Sequence, residues 1–386
     1  MFDYVIIGAG FSGSVLAERI ANILNKNVLI IDKRDHIGGN CYDYYDNNGV
    51  LIHKYGPHIF HTKIKKVWDY LSNFTEWNLY HHKVLGVIDG NRVPIPFNLN
   101  SLHKLLPQSK AEILEKKLVE EFGYNVKIPI LKLREKNDTD LKFIADFVYE
   151  KIFLNYTMKQ WGVKPDEIDP LVTNRVPVYI SKDDRYFQDT YQGMPKYGYT
   201  TLFNNLLNNK NIKIMLNTDY KEIIDIDFEN KKIFLFGQEF EGKFIFSGMI
   251  DELLNYQFGE MPYRSLNFHF ENIQKEYFQE TGTVNYPNDY DFTRITEFKH
   301  LSGQKTDTTT IVREYPQNYE RNVDGKNIPY YPIANDNNFD LYNKYKNKIK
   351  NFENIYLLGR LADYKYYDMD MTINRALEIF DSIKSF

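Results

Sequence analysis

The chain opens with short apolar runs that are separated by an amphipathic stretch. Residues 3–8 form an apolar run that ends at a glycine, apolar residues then recur at helical spacing to about residue 24, and a second apolar run covers residues 27–32. Short apolar runs are typical of buried strands, and the helical spacing is typical of an amphipathic helix. This order predicts a strand, a helix and a second strand.

The same kind of pattern returns later in the chain. Residues 198–248 contain a helical pattern and three short apolar runs, and residues 354–359 form another run before a helical pattern over residues 371–385. We therefore predict one discontinuous Rossmann-like domain of the α/β class, built from residues 1–80, 198–250 and 350–386.

Two further regions have different patterns. Leu, Ile and Phe recur at helical spacing among Lys and Glu over residues 98–171, which predicts a helical domain. In residues 172–197 and 260–349, β-branched and aromatic residues alternate with polar ones, as in antiparallel strands. We predict that these two segments form an antiparallel sheet domain.

Composition narrows the possible functions. The 386 residues carry a formal net charge of −4, which argues against broad electrostatic binding of nucleic acid. A single cysteine excludes an intramolecular disulfide and a multi-cysteine metal site, and we expect no metal. No apolar run is long enough to span a bilayer, and the first residues lack the features of a signal peptide, so we expect a cytoplasmic location.

A glycine-rich turn joins the first predicted strand to the first helix. Gly8 permits the tight turn, Gly10 lets the backbone approach a pyrophosphate, and Gly13 allows close packing of the helix on the sheet. The unpaired N–H groups of the helix N-terminus would then face phosphates. Asp32 ends the second strand, where it can accept hydrogen bonds from an adenosine ribose. These features predict a dinucleotide site.

The segment after Asp32 favours FAD over NAD. Residues Lys33 to Asn40 contain a second glycine pair that includes Gly39, and the segment resembles flavoproteins related to amine oxidases, in which this pair passes near the flavin. Gly359 and Arg360 again lie between a strand and a helix, so a second helix N-terminus can point at the flavin end. The expected FAD contacts are Gly8, Gly10, Phe11, Ser12, Gly13, Asp32, Lys33, Gly39, Asn40, His58, Ile59, Gly359, Arg360, Asp368 and Met369.

Motifs along nearly the whole chain carry a more specific resemblance. They are HKYGPHIFHT at 53–62, YTMKQW at 156–161, RYF at 185–187, YQGMP at 191–195, YRSL at 263–266, REYP at 313–316 and YKYYDMD at 364–370. In order and spacing they resemble the bacterial UDP-galactopyranose mutases. The resemblance implies the three predicted domains, with the active site in the cleft between them, and a homodimer.

The resemblance also implies the chemistry. Members of this family use reduced FAD, whose N5 atom attacks the anomeric carbon of a UDP-sugar, so that UDP leaves and the N5–sugar adduct opens and closes in the other ring form. The expected reaction is the reversible isomerisation of UDP-galactopyranose to UDP-galactofuranose. Arg175 and Arg294 match the family's clamp for the departing diphosphate, and guanidinium groups suit that task.

The remaining candidate residues come from the same matches. The substrate site is expected to include Tyr156, Thr157, Trp161, Arg175, Tyr186, Arg294, Tyr315, Tyr331 and Tyr366, with Tyr156 against uracil and either Ile152 or Phe153 in place of a second aromatic. Core packing is the alternative role for each tyrosine. Glu314 and Asp368 match acidic family positions, and Asp368 can instead cap the last helix. His58 and His61 are candidates to respond to the flavin redox state.

Three alternatives stay open at this level. The substrate can be the 2-acetamido analogue, UDP-N-acetylgalactopyranose, since the choice depends on space beside C2. An FAD-dependent oxidoreductase of the amine-oxidase type shares the glycine turns, but it does not explain the paired arginines and many tyrosines. A catalytically silent nucleotide-sugar-binding protein is the third possibility.

Overall fold

A computed structural model of the chain describes residues 1–162, 177–321, 327–333 and 335–384. At its centre lies a parallel sheet to which all three segments of the predicted Rossmann-like domain contribute. Its strands, in spatial order, are β12 (Ile212–Met215), β2 (Val28–Ile31), β1 (Tyr4–Ile7), β16 (Lys243–Phe246) and β22 (Ile355–Leu357). Every neighbouring pair in this sheet is parallel.

The described helices pack against this sheet or form a separate group. In chain order they are α1 (Phe11–Ile23), α2 (Lys65–Leu71), α3 (Leu99–Leu105), α4 (Gln108–Phe122), α5 (Ile130–Arg134), α6 (Thr139–Val148), α7 (Asn155–Trp161), α8 (Tyr199–Leu206), α9 (Ile250–Leu253), α10 (Phe298–Ser302), α11 (Asp336–Ile349) and α12 (Met369–Lys384). Short 3-10 turns cover Gly39–Cys41 and Tyr220–Glu222. Among the described residues, none of the helices is long and apolar enough to cross a membrane.

The apolar runs of β1 and β2 arise because both faces of the parallel sheet are covered. Ile6 and Ile30 pack into a core with α1, α8 and α12, whereas Val5 and Leu29 pack into a second core on the other face, which includes residues of α9 and α11. A strand that is buried on both faces has no polar alternation. This explains why the sequence pattern located these two strands to within a residue at each end.

One predicted strand of the Rossmann-like domain forms a different sheet. Residues 232–235 pair in a three-stranded antiparallel sheet with order β13 (Ile224–Asp227), β14 (Lys232–Leu235) and β15 (Gln238–Glu239). Only Ile233 of β14 is buried, so this strand lacks the two covered faces of the central strands. Two smaller sheets contain β3 (Asp43–Tyr45) with β4 (Leu51–His53), and β5 (Phe60–Thr62), β11 (Tyr191–Pro195) and β6 (Trp77–Leu79).

The large second sheet is mixed rather than purely antiparallel. Its order is β21 (Tyr331–Pro332), β17 (Tyr263–Ile273), β20 (Thr309–Asn318), β19 (Arg294–Glu297), β18 (Thr283–Asn285), β7 (Val84–Ile88) and β8 (Asn91–Ile95). The pairing of β18 with β7 is parallel. Residues 84–95 have no place in the predicted domains, although β7 and β8 extend this sheet.

Residues 98–162 are mainly helical and contain one short strand. β9 (Val126–Pro129) pairs with β10 (Pro177–Ile180), and β11 pairs with β5 and β6. Residues 177–195 therefore do not join the large sheet, in contrast to the predicted domain. Between α6 and α7 the chain forms a π-helix over Tyr149–Leu154. Such turns hold one extra residue and often occur at functional sites.

Several histidine side chains are buried in this fold and are neutral. Burial lowers the pKa of His53 and of His82 to about 3 in each case. The backbone N–H of His58 donates to Nδ1 of His53, and His82 Nδ1 lies 3.1 Å from the Tyr80 hydroxyl. An imidazole that cannot accept a proton in the folded state opposes folding in acid.

We predict that His82 makes the protein less stable in mild acid. The unfolded chain binds a proton on each such ring below about pH 6.5, whereas the folded chain does not until the pH approaches 3. Stability therefore falls as the pH falls through this window, by about 1 kcal/mol per ring between pH 7 and pH 5.5. Thermal unfolding midpoints should fall over this range, and the fall should be smaller for His82→Gln.

The adjacent His81 is exposed and provides a matched control. His81→Gln should keep the wild-type pH dependence. An equal fall in the unfolding midpoint for wild type and His82→Gln would contradict the assignment of this effect to the buried ring.

Candidate active site

A cleft opens at the carboxyl edge of the parallel sheet, between β1, β2, β16 and the start of α12. Its empty space is about 1350 Å³, including the part open to solvent. Most of the predicted cofactor residues line it: Gly8, Gly10, Phe11, Ser12, Asp32, Lys33, Gly39, Asn40, His58, Arg360 and Met369. The carboxyl edge of a parallel sheet is the usual ligand site of open α/β folds.

Two glycine turns meet backbone to backbone in the cleft wall. A Cβ atom on Gly39, whose φ is +56°, would come within 2.8 Å of the Gly10 Cα atom. The Gly38 N–H donates to the Ala9 carbonyl at 2.9 Å. Behind this contact, a Cβ atom on Gly13 would come within 2.0 Å of the Gly8 carbonyl oxygen. Side chains at these positions would separate the two turns or lift α1 from the sheet.

The Asp32 carboxylate joins the same two turns. One oxygen accepts the Ala9 N–H at 2.8 Å, and the other accepts the Arg34 N–H at 2.9 Å. The N-terminus of α1, beside Ala9, receives no hydrogen bond from a capping side chain. First-turn N–H groups of a helix that lack a cap, together with the helix dipole, favour an anionic ligand.

Four predicted cofactor residues lie behind the lining. Gly13 packs against the Gly8 carbonyl, and Ile59 packs against the core. A Cβ atom on Gly359 would come within 2.7 Å of Ser12 Oγ. Asp368 immediately precedes α12, and its carbonyl accepts the N–H and the hydroxyl of Thr372, both at 3.0 Å. Asp368 therefore takes part in the first turn of α12 through its backbone carbonyl.

Other parts of the lining were not predicted from the sequence. Residues 218–220 follow β12, residues 247–249 follow β16, and residues 328–330 approach from the large sheet. The first two segments come directly after predicted strands. Because the carboxyl ends of parallel strands share one edge, that position is a signal by which these residues could have been found.

His58 is a neutral side chain on the cleft wall. Burial, with a smaller contribution from His53, lowers its pKa to about 3. Its Nδ1 atom lies 2.9 Å from the Gly56 carbonyl oxygen, which can only accept, so Nδ1 carries the proton. Nε2 is then left as an acceptor. His58 therefore offers a lone pair to the cleft rather than a charge.

His61, the other histidine of this motif, is directed elsewhere. Its Nδ1 atom lies 2.5 Å from an Asp189 carboxylate oxygen, and its ring stacks on Phe187 with centroids 3.5 Å apart. It is not among the residues that line the cleft. Alternation along β5 accounts for this, because Phe60 and Thr62 are buried on the opposite side.

Arg294 and Glu314 form an ion pair on the large sheet. Arg294 Nε donates to Glu314 Oε1 at 2.7 Å, and the two residues face each other across β19 and β20. The Glu314 side chain is buried. Burial opposes the charge of Arg294, but attraction to Glu314, the hydrogen bond to it and the nearby Tyr156 and Tyr331 together leave the pKa of Arg294 above its ordinary value.

This ion pair lies near the cofactor cleft and the predicted substrate residues. A Cβ atom on Gly56, in the loop that carries His58, would come within 3.6 Å of Glu314 Oε1. The main influence on the pKa of Tyr156 and of Tyr331 is burial, which raises both, and the positive charge of Arg294 acts on each in the opposite direction. Arg294 therefore lies close enough to both tyrosines to act on them electrostatically.

Three aromatic rings and a second arginine form a cluster beside the cleft. Tyr331 and Tyr366 are stacked with centroids 5.4 Å apart, and the Trp161 ring lies 5.6 Å from Tyr331 and 6.0 Å from Tyr366. The Arg360 guanidinium carbon is 5.3 Å and 5.2 Å from the centroids of the two tyrosine rings. Arg360 also donates to the Tyr330 and Tyr367 carbonyls at 3.2 Å and 2.6 Å. It thus contacts both the cleft and the tyrosine pair.

A second, smaller pocket brings together two other predicted residues. Tyr156 and Tyr186 line it, together with Ile152, Ile95 and Asn285. Its empty space is about 430 Å³, including the part open to solvent. Ile152 and Phe153 of the π-helix are both buried in the helical core, and of the two Ile152 lines this pocket.

The structure does not bring the remaining candidates into this arrangement. Tyr315 is on the face of β20 opposite to Glu314, with its ring 4.5 Å from His269 and 5.8 Å from Phe292. Thr157 is buried in α7. Arg175 lies outside the described residues. Within the described ranges, no group of three or more His, Cys, Asp or Glu side chains is placed to hold a metal ion.

Comparison with known families gives two matches within the chain. Residues 6–74 match the NAD(P)-binding Rossmann-like domain, the region that carries both glycine turns. Residues 151–366 match the UDP-galactopyranose mutase family, and this segment includes Tyr156, Trp161, Arg294 and Tyr331.

Individual relatives extend the similarity over nearly the full length. The chain is 37% identical to the UDP-galactopyranose mutase of Mycoplasma genitalium over 96% of this chain and 92% of that protein. It is 35% identical to the dTDP-fucopyranose mutase of Escherichia coli over 98% of this chain and 97% of that protein.

Solved structures resemble the fold as a whole. A crystal structure of reduced UDP-galactopyranose mutase has a TM-score of 0.74 at 19% identity and covers all of this chain and 96% of that one. A double mutant of putrescine oxidase has a TM-score of 0.63 at 10% identity, with coverage of 100% and 99%. The fold is therefore common to both, and the sequence identity to the mutases decides between them: this chain belongs to the UDP-galactopyranose mutase family and is an isomerase.

Proposed function

We propose that the cleft binds FAD and that the chain interconverts UDP-galactopyranose and UDP-galactofuranose. The observation that carries the proposal is the position of the Arg294–Glu314 ion pair and the Tyr331–Tyr366 stack next to a cleft built from two glycine turns. The ion pair and the stack suit a diphosphate, and the cleft suits a dinucleotide. Their proximity suits a reaction between a nucleotide-sugar and a bound cofactor.

The residues of the cleft fit an extended dinucleotide better than a mononucleotide. The uncapped N-terminus of α1 suits the pyrophosphate, and Asp32 at the end of β2 suits the ribose. The lining continues past Gly39 and Asn40 to His58, Arg360 and Met369, which belong to other segments of the chain. This continuation supports FAD, with the flavin near His58 and Arg360.

The chain's own residues would bind and orient the sugar nucleotide. Bound reduced FAD would supply a nucleophilic nitrogen at the anomeric carbon, so that the reaction needs no net oxidation. Arg294 and Arg175 would hold the diphosphate as it leaves and returns, and the hydroxyls of Tyr331 and Tyr366 would donate to its oxygens. Glu314 would hold the Arg294 guanidinium group in one orientation. Tyr156 and Tyr186 would enclose the uracil in the second pocket.

Relatives with different substrates leave a second candidate. The dTDP-fucopyranose mutase of Escherichia coli, at 35% identity, is as similar to this chain as the UDP-galactopyranose mutases at 34–37%, and its name gives a different nucleotide and sugar. Incubation of the reduced protein with UDP-galactopyranose, UDP-N-acetylgalactosamine and dTDP-fucopyranose, followed by analysis for furanose product, identifies the preferred substrate. We expect the largest turnover with UDP-galactopyranose.

We predict that Gly39→Ala releases FAD from the purified protein. The new Cβ atom would meet Gly10 Cα at 2.8 Å and push the two turns of the cleft apart. Gly49→Ala is a matched control, since its φ of +77° imposes a similar backbone cost but nothing lies within 4 Å of its Cβ position. Absorbance at flavin wavelengths measures the bound FAD. Equal FAD content in the two variants would show that the cofactor does not lie on these turns.

We predict that turnover of the UDP-sugar requires reduced flavin. Activity should appear under anaerobic dithionite, should persist without NADH, and should consume no stoichiometric oxidant. An oxidoreductase of the amine-oxidase type would instead consume an oxidant for each turnover. Equal turnover by the fully oxidised protein would contradict the proposed use of the cofactor as a nucleophile.

We predict that Arg294→Ala lowers kcat/KM by about ten- to a thousandfold while FAD content is preserved. Removal of one partner from a fully buried charge pair costs about 2–5 kcal/mol, and because the Arg294 side chain is 29% exposed we expect about 1.4–4 kcal/mol, where tenfold corresponds to roughly 1.4 kcal/mol. The loss should fall on kcat as well as KM, because the contact strengthens as the diphosphate departs. Lysine should restore only part of the rate, since it lacks the planar fork.

Arg313 provides the matched control for this prediction. It is the neighbour of Glu314 on β20, but it pairs with Glu271 at 2.5 Å on the other face of the sheet. Arg313→Ala should retain nearly wild-type kinetics. Because Arg294→Ala leaves Glu314 buried and unpaired, the double variant Arg294→Ala, Glu314→Gln should be measured too. Wild-type kinetics in the flavin-loaded variants would mean that the diphosphate lies elsewhere.

A further inference from the structure

Arg264 occupies the junction between the large sheet and α7, the helix that carries Tyr156 and Trp161. It lies on β17, opposite Asn318 of β20 on one side and opposite Tyr331 of β21 on the other. Its carbonyl accepts the Tyr330 N–H at 2.9 Å. The backbone of Arg264 therefore fixes the short strand that carries Tyr331.

The Arg264 side chain fixes the end of α7. Nε donates to the Gln160 carbonyl at 3.0 Å, Nη2 donates to the Lys159 carbonyl at 2.9 Å, and Nη1 donates to the Asn318 side-chain oxygen. The last carbonyls of a helix have no partner within the helix, and the helix dipole favours a cation there.

This arginine is unusual for a residue in a core. It is only 5% exposed, and burial lowers its pKa. In the described part of the chain its hydrogen-bond partners are neutral oxygens rather than a carboxylate. Burial of a guanidinium without a carboxylate partner is costly, and the three hydrogen bonds of Arg264 to α7 and Asn318 are what the fold obtains from it.

Gly162 makes this contact possible. It ends α7 in the left-handed conformation, with φ of +71°, and its N–H donates to the Met158 carbonyl at 2.8 Å. A Cβ atom at this position would come within 2.7 Å of Arg264 Nη1 and 3.1 Å of its Cζ. Glycine thus serves both the helix end and the close approach of the guanidinium.

We propose that Arg264 is a positioning residue for the nucleotide diphosphate, because it sets the placement of Trp161 relative to Tyr331. The backbone of Arg264 pairs with the strand that carries Tyr331, and its side chain bonds to the helix turn that carries Trp161. The Tyr331 and Trp161 ring centroids lie 5.6 Å apart. The inference rests on the proposed function, in which this cluster contacts the substrate. Arg264 itself lines neither pocket.

UDP binding to the FAD-loaded protein, measured by calorimetry, tests this role. Arg264→Met should raise the UDP dissociation constant by at least about tenfold, because a shift of about 1 Å in a positioned group has effects of this size or larger. The KM for UDP-galactopyranose should rise in parallel, with a smaller change in kcat. Arg264→Lys should restore part of the affinity, and Gly162→Ala, which keeps the arginine but displaces it, should also weaken UDP binding.

Arg321 serves as a control for loss of stability. Its side chain is 11% exposed, pairs with Asp251 at 2.5 Å and donates to the Met261 carbonyl at 2.7 Å, and among the described residues its hydrogen-bond and ion-pair partners do not include α7. Arg321→Met should lower the thermal unfolding midpoint without changing UDP affinity. A purely structural role for Arg264 predicts instead that UDP affinity follows the midpoint in all variants.

The outcomes separate this inference from the proposed function. Failure of the wild-type protein to bind UDP would overturn both. Normal UDP binding by the wild type, with unchanged affinity in Arg264→Lys and Gly162→Ala, would overturn only the positioning role of Arg264. These two milder variants keep the test valid if Arg264→Met does not fold.

Discussion

The cleft at the edge of the parallel sheet depends on a close approach of two stretches of backbone. Gly10 and Gly39 lie so near each other that a single added carbon would collide, and the Asp32 carboxylate bonds a backbone N–H on each side. This contact determines the shape of the cleft, because it fixes where α1 begins and where the chain turns after β2. Because these positions carry no side chain, the cleft wall is formed by backbone atoms, and the N–H groups at the start of α1 face the cleft directly.

Cationic side chains lie around this cleft in a chain whose net charge is negative. Arg294 is oriented by Glu314, and Arg360 by two carbonyls and two aromatic rings. His58 and His53 are kept neutral by burial. Positive charge near the cleft is thus supplied by guanidinium groups, and the neutral imidazoles act through lone pairs and N–H groups. The fold holds these cations in fixed orientations, so an anionic ligand can bind them without reorganisation of the site.

The sequence predicted the parts of this structure whose pattern is local. β1, β2, β22 and α1 were found because strands covered on both faces and a glycine turn leave clear marks. Alternation along a strand also determines that Glu314 and Tyr315 face opposite sides of β20 and that His61 faces away from Phe60 and Thr62. Pairings between distant segments, such as β7 with β18 or Arg264 with α7, have no local pattern, because they depend on how the sheets meet.

The π-helix at Tyr149–Leu154 has a consequence for how this region can change during evolution. A π turn holds one residue more than an α turn in about the same full rotation, so the deletion of one residue there would restore a regular helix and leave the direction of α7 nearly unchanged. The deletion of one residue from the regular helix α6 would instead turn the chain that follows by roughly 100°, and Tyr156 and Trp161 on α7 would turn with it. The loss of one residue within Tyr149–Leu154 would therefore act mainly on the second pocket, which Ile152 lines, and would leave the faces of α7 in place.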